Sequence, residues 1–253
     1  MPGPQSLPSL IRASALNTAE FFVGGAPASG QRWADWPDVR ASDRLLKDPL
    51  GNPAVLLQPL GGNEVDELLN RLAAFYGETG SSWFLWSAWP TPDLAASGLS
   101  LIGHPPLMLR DSESPAVPIP PGLEIREVTN AEDLYAFHRA LYLAYPVEHP
   151  LEDLIDMYAL EALGGTTRFW IGLVDGECVA LSAACVSDGV LTVDAVATMP
   201  GARRRGYGAA ITDVAARSAP GLPVMLLASD DGRPVYERIG FREIARWTLW
   251  VHP

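Results

Sequence analysis

The stretch Arg203-Arg204-Arg205-Gly206-Tyr207-Gly208 puts three guanidinium groups and two glycines into one bend of the chain. Glycine leaves room for a ligand to approach the backbone closely. Past the bend, Tyr207, Ile211 and Val214 recur at the spacing of one helical face. The first turn of any helix carries N–H groups without intrahelical partners and a partial positive charge. The chemistry suited to such a bend is the seating of a phosphate or pyrophosphate. Two common phosphate loops do not fit. One requires Lys then Ser or Thr after its last glycine, but Ala209 and Ala210 follow Gly208, and the chain's only lysine is Lys47. The other requires three glycines spaced GxGxxG straight after a strand, and the spacing here differs.

Other residues with chemical potential lie nearby in sequence. Asp194 interrupts the otherwise apolar run Val193–Thr198 and shares a strand face with Val196 and Thr198. A carboxylate there is costly to bury without a partner or a task. Tyr236, Glu237, Gly240 and Phe241 follow the apolar run 223–228. Tyr142, Tyr145, Glu148 and His149 cluster around a loop broken by Pro146 and Pro150, where Glu148 offers a carboxylate to a cation and His149 a second base. The remaining histidines, His104, His138 and His252, are scattered without metal-ligand spacing, so no metal site is expected. Cys178 and Cys185 fall in one apolar region and read as packed thiols.

These residues need elements to position them. Residues 193–198 read as a strand, Met199-Pro200-Gly201 as its end, and the residues beyond Arg204 as a helix. Upstream, 123–128 is an alternating strand. Thr129 or Asn130 caps a helix with Leu134, Phe137 and Leu141 on one face, and a second helix is expected over 151–163. Asp175-Gly176 and Asp188-Gly189 signal hairpins joining strands 169–174, 178–186 and 190–198. After the bend come a strand at 223–228, a short helix near 233–238 and a last strand ending by Val251. The earlier part of the chain reads as a short helix within 1–20, a flexible loop at 24–31, a strand at 54–60, a helix from Val65 to about Tyr76, a strand at 82–88, a short helix at 92–96 and an interrupted strand at 99–110. Both halves end strand, helix, strand, short helix, strand, which suggests an internal repeat with a degenerate first copy. SESPAVPIPPG, 112–122, holds prolines at 115, 118, 120 and 121 and reads as a semi-rigid linker between domains.

Composition bounds the function. The chain has 253 residues, 48% of them hydrophobic, enough to bury a sizeable core, and a formal net charge of −12. That charge argues against non-specific binding to nucleic acid or an anionic membrane and favours cationic partners. An anionic ligand must then meet a local basic patch, and Arg203–Arg205 supply one. The N-terminal residues show no basic region before an apolar core, and no apolar run reaches about 18 residues, so a cytoplasmic protein is expected.

Arg203-x-x-Gly206-x-Gly208 resembles the R/Q-x-x-G-x-G/A signature of the GNAT superfamily of N-acetyltransferases. Tyr236-Glu237-x-x-Gly240-Phe241 resembles that family's closing motif, on the expected helix and at the expected distance downstream. The resemblance covers about residues 122–253, and the first half shares only the element order. It departs at Ser229, where the family often has Asn. It implies an α+β fold with a mixed sheet in tandem: a degenerate GNAT-like domain at 1–111, a linker at 112–121 and a complete domain at 122–253. It also implies acetyl-CoA as acyl donor and transfer to a primary amine by direct attack. Backbone N–H groups across Arg204, Arg205, Gly206, Tyr207, Gly208 and Ala209 would hold the pyrophosphate, with Arg203 in the same cofactor-binding set. Val196, Ala197 and Thr198 would pair with the pantetheine amides as an added strand. Tyr236 would protonate the leaving thiolate and Asp194 would act as base. Tyr142, Tyr145 and Glu148 would shape the acceptor site for a small-molecule or protein amine. A non-catalytic acyl-CoA sensor and an acyltransferase using a longer acyl-CoA stay open as alternatives, as does a homodimer.

Overall fold

The computed structural model of the chain describes residues 6–145, 160 and 163–253. Two compact units emerge: Met1–Pro106 with Ile244–Pro253, and Leu107–Glu243. In chain order the helices are α1 (Leu7–Val23), α2 (Ala26–Ser29), α3 (Val65–Gly77), α4 (Ala131–Ala144), α5 (Tyr207–Ala216) and α6 (Arg233–Arg238). The strands are β1 (Arg32–Asp35), β2 (Val39–Asp43), β3 (Pro53–Leu56), β4 (Trp83–Ser87), β5 (Ser100–Gly103), β6 (Pro106–Arg110) and β7 (Glu124–Glu127). They continue as β8 (Thr167–Val174), β9 (Glu177–Ser187), β10 (Val190–Thr198), β11 (Val224–Leu227), β12 (Arg242–Arg246) and β13 (Thr248–His252). No helix among the described residues is long and apolar enough to cross a membrane.

The first unit is built on a six-stranded sheet in the order β1-β2-β3-β4-β13-β5. Strands β3 and β4 run parallel, with Ala54 opposite Leu85, and helix α3 connects them. Leu68, Leu72 and Tyr76, one face of α3, pack with Val39, Leu56, Trp83, Leu85 and Trp250 into this unit's core.

The second unit centres on a seven-stranded mixed sheet in the order β12-β6-β11-β10-β9-β8-β7. Asp175-Gly176 has φ values of 50° and 82°, and Asp188-Gly189 of 52° and 75°. Both pairs are left-handed, as tight hairpin turns between twisted strands require. Successive strand residues point to opposite faces, and the helices follow that rule. Trp170 packs in one cluster with Tyr207, Ala210 and Ile211 of α5, while its neighbour Phe169 meets Phe137 of α4 edge-on at 5.2 Å. The sheet is therefore covered by α5 on one face and α4 on the other. Asn130, not Thr129, caps α4, its Oδ1 accepting the Asp133 amide at 3.0 Å. As in the first unit, a helix, α5, joins two parallel strands, β10 and β11, so the repeated order is a repeated topology.

Several elements differ from the sequence reading. The expected last strand is two, β12 and β13, divided at Trp247, and β13 pairs with β4 and β5 of the first unit. The expected interrupted strand over 99–110 is β5 in one sheet and β6 in the other. Hydrophobic alternation identifies a strand but carries no information about which sheet receives it. Strands β1 and β2 went unread, because 32–35 and 39–43 are short and charged. The expected loop at 24–31 contains α2, and the expected helix at 92–96 is a 3₁₀ turn over Ala95–Ser97. The helix expected over 151–163 lies almost wholly outside the described residues. The proline-rich run has no regular structure and belongs to the second unit.

Candidate active site

The site is built where β10 loosens its pairing. Strands β10 and β11 hold parallel register only over Leu191–Val193 and Val224–Leu226. On the other side, Asp194 pairs with Ala183 and Ala197 with Leu181, so β10 carries one extra residue. This is a β-bulge, and Ala195 within it has a φ of 48°. Among the described residues, 194–198 therefore have no strand partner on the β11 side, and Val196–Thr198 border an opening.

The chain turns directly after this segment. Pro200–Ala202 make one 3₁₀ turn closed by the Ala202 amide donating to Met199 O at 2.8 Å. Arg204 has a φ of 65° and Gly206, the residue before α5, a φ of 84°. A left-handed glycine is inexpensive there, whereas another residue would be strained. Ala210 is the first amide of the bend that finds a protein acceptor, Gly206 O at 3.0 Å. Among the described residues, no amide from Arg203 to Ala209 donates to a protein atom. Gly208 permits close packing of strand on helix, since a Cβ there would lie 3.0 Å from Thr198 Oγ1.

A cavity of about 730 Å³ opens beside the bend. Of the residues singled out from sequence, Val196, Ala197, Thr198, Arg203, Arg204, Gly206, Tyr207, Gly208 and Ala209 line it, together with Tyr145 and Tyr236. The Tyr207 side chain belongs to the core, so only its backbone is available to a ligand. Arg205 faces a different cavity, of about 540 Å³, beneath α4. The Arg203 guanidinium donates to two backbone carbonyls, Thr198 O and Ala144 O. Arg204 has no protein partner among the described residues. Tyr142, at the end of α4, does not line the cavity, and Glu148 and His149 lie outside the described residues. Ala144 at the end of α4, Ser229, Asp231 and Gly232 between β11 and α6, and Val235 and Arg238 of α6 complete the lining. Reading by motif noted Ser229 only as a departure and passed over Asp231, Gly232, Val235 and Arg238, because only Tyr236, Glu237, Gly240 and Phe241 carry the pattern.

Helix α6 aims Tyr236 by simple means. Ser229 Oγ accepts the Gly232 amide at 3.0 Å, which opens the helix. Gly232 gives the ring space, because a Cβ there would meet Tyr236 Cε2 at 3.2 Å. Gly240, with a φ of 95°, ends the helix and lets Phe241 enter the core, where it meets the Tyr236 ring edge-on at 6.1 Å. Burial raises the Tyr236 phenol above its usual range, and the nearby Tyr145 and Asp194 raise it further. It is a neutral hydroxyl at physiological pH, able to donate a hydrogen bond.

Asp194 lies in the bulge behind the lining. Its Oδ1 accepts the amide of Ala195 at 2.6 Å. Burial pushes its carboxyl up to about 6, against that hydrogen bond, which pulls it down. Tyr145 follows the last residue of α4. The residue is 43% exposed, and its hydroxyl donates to Val196 O at 3.3 Å. Burial pushes its phenol up to about 12, with the Asp194 charge adding to the effect. Tyr145, Asp194 and Tyr236 thus form one electrostatic group around the opening, with a carboxyl raised to about 6.

Residues 170–251 match the FR47-like protein family. No curated protein matches the chain. Among solved structures, a GCN5-related N-acetyltransferase from Kribbella flavida is 21% identical with a TM-score of 0.71, over 95% of both chains. A conserved protein of unknown function from Staphylococcus epidermidis is 13% identical with a TM-score of 0.64, over 87% of this chain and 92% of that one. A tandem GNAT protein from the clavulanic acid biosynthesis pathway is 16% identical with a TM-score of 0.51, over 84% of this chain and 77% of that one. The fold is therefore that of the GNAT N-acetyltransferases, and the match to the FR47-like family falls within its second unit and the strand that follows.

Proposed function

We propose that the chain is an acetyl-CoA-dependent N-acetyltransferase acting on a primary amine by direct attack. One observation carries this reading: a run of unengaged amides at a left-handed bend, opening onto a cavity beside a bulged strand whose edge is free. The amides from Arg204 to Ala209 take the pyrophosphate, with Arg204 adding positive charge. Val196–Thr198 take the pantetheine amides. The amine nitrogen bonds to the acetyl carbonyl carbon, the carbon–sulfur bond breaks, and CoA leaves as the thiolate.

The proton balance falls to two residues. An ammonium with a free pKa of roughly 10.4 must lose a proton before attack. Asp194, titrating near 6, accepts it through water, because the carboxyl does not line the cavity. Tyr236 donates a hydrogen bond to the departing sulfur. Its raised pKa makes complete proton transfer to a thiolate uphill in the resting site, so its main contribution is stabilisation of the developing charge.

Calorimetric titration with acetyl-CoA and CoA, followed by thiol release with polyamines, aminoglycosides, amino acids and peptide N-termini, tests the reading. Binding plus turnover with one amine class supports it, and absence of CoA binding overturns it. A second reading, a CoA-binding module without catalysis, is favoured by the Asp194 carboxyl being occupied by the Ala195 amide and set back from the cavity. Binding without turnover across the panel selects that reading.

A further inference from the structure

Arg203 occupies the first position of the phosphate-bend signature, yet its guanidinium is directed at protein. Nε donates to Thr198 O at 3.2 Å and Nη2 to Ala144 O at 3.3 Å. Thr198 ends β10, and Ala144 is the last residue of α4. The last carbonyls of a helix lack intrahelical donors and carry partial negative charge. Helix α4 has no basic residue in its own last turn. Arg203 therefore supplies, from a distant part of the sequence, the cation that the end of α4 lacks.

The next residue is Tyr145, extended at φ −98° and ψ 138°, with its hydroxyl on Val196 O at 3.3 Å. The end of α4 is thus tied to the free segment of β10 twice, by Arg203 at Thr198 and by Tyr145 at Val196. The two ties lie on either side of Ala197, at one wall of the cavity. Arg204, at a φ of 65°, has no such engagement among the described residues.

We propose that Arg203 is a positioning residue for the acceptor side of the site: it holds the end of α4 so that Tyr145 stays over the bulged segment of β10 beside Tyr236. Arg204 and the backbone amides, not the Arg203 side chain, hold the phosphates. The inference deepens the acetyltransfer reading and rests on it for its kinetic consequences only.

The test compares R203A, R204A, Y145F and the R203A/Y145F double variant. Hydrogen exchange in the absence of ligand reads the tie directly. Amides 141–145 of R203A exchange about three- to tenfold faster than in the parent, as expected for loss of a modest surface hydrogen-bonded contact, while those of R204A do not. Titration with CoA then separates the two arginines: R203A stays within about twofold of the parent Kd, and R204A weakens by about three- to tenfold. With the best amine, R203A and Y145F each raise the acceptor KM by a similar factor, and the double variant is no worse than the weaker single one. Unchanged exchange in R203A overturns the proposal. So does a loss of CoA affinity in R203A equal to that in R204A with the acceptor KM unmoved. If the parent binds no CoA, the acetyltransfer reading fails, and the exchange comparison still decides whether Arg203 holds the end of α4.

Discussion

Arg110 and Asp213 form an ion pair with a guanidinium nitrogen 2.6 Å from a carboxylate oxygen, their side chains only 2% and 5% exposed. Asp213 also accepts the Val117 amide at 3.1 Å and Arg217 Nε at 2.9 Å. The arginines continue outward, Arg110 to Pro115 O and Arg217 to Ser114 O. The proline-rich run is thereby strapped to α5, the helix that follows the arginine bend.

Removal of one charge from such a network leaves the other buried and uncompensated. Asp213→Asn is expected to cost about 3–5 kcal/mol of stability at pH 7, measured by urea unfolding. Burial alone would raise the Asp213 carboxyl, but Arg217, the Val117 amide and Arg110 outweigh it and hold it below its usual range. The stability from a lowered carboxyl is present above its unfolded pKa of about 3.9 and is lost as pH falls through the lower folded value. The gap between parent and variant should therefore narrow below about pH 4. A loss under about 1 kcal/mol at neutral pH, the scale of an exposed pair, would show that the strap is held by other contacts.

Asp194 has the opposite sign. Its folded pKa, about 6, lies above the unfolded value of about 3.9, so the folded state binds the proton more tightly. Stability must fall as pH rises between those values, and the cost is complete above about 6. Asp194→Asn is expected to be more stable than the parent at pH 8 by about 1–3 kcal/mol and no more stable at pH 4. If the same carboxylate accepts the ammonium proton, the parent kcat/KM rises with pH through a limb near 6. That limb should vanish in Asp194→Asn, and its persistence would remove Asp194 from the base role.

The features legible in sequence were those whose physics is local. The bend, α5 and the YExxGF helix are set by glycine positions and an apolar period over a few residues. Both hairpin turns were readable because Asp-Gly tolerates two left-handed residues in succession. What escaped was long-range. Nothing local tells that β6 enters the second sheet or that β13 enters the first. The partners of the Arg110–Asp213 pair stand 103 residues apart, and no local pattern links them. The motif placed Arg203 by spacing, but the carbonyl its Nη2 reaches lies 59 residues away. Ser229 stood out only as a departure from the motif, and Gly232 not at all, because both act through the geometry of α6.

Tyr236→Phe keeps the ring, the edge contact with Phe241 and the space over Gly232, and removes only the hydroxyl. CoA affinity should stay within about twofold, because the amides of the bend are untouched, while kcat falls by about 10- to 100-fold for loss of one hydrogen bond to the departing sulfur. Steady-state turnover beside calorimetric Kd values reads both quantities. An unchanged kcat would assign Tyr236 to packing alone. Thermal stability serves as the control, since a fall in Tm comparable to that of a core truncation would mean that the hydroxyl supports the fold.

The two copies of the repeat should differ completely in CoA binding. In the first unit, Gly61-Gly62-Asn63 stands where the arginine bend stands in the second. Gly61 has a φ of −75°, so the left-handed turn of Gly206 is missing. Its amide already donates to Glu64 Oε2 at 3.0 Å. Asp66 and Glu67 add two more carboxylates to the first turn of α3. The positive end of that helix is thus met by the chain's own acids, and a diphosphate there would face like charges at contact distance. Titration of the full chain with acetyl-CoA should give one site per chain. Gly206→Glu should abolish it, because a side chain at a φ of 84° strains the bend and its carboxylate repels the phosphates. A second site of similar affinity, surviving in Gly206→Glu, would show that the acidic turn of α3 does not exclude the cofactor.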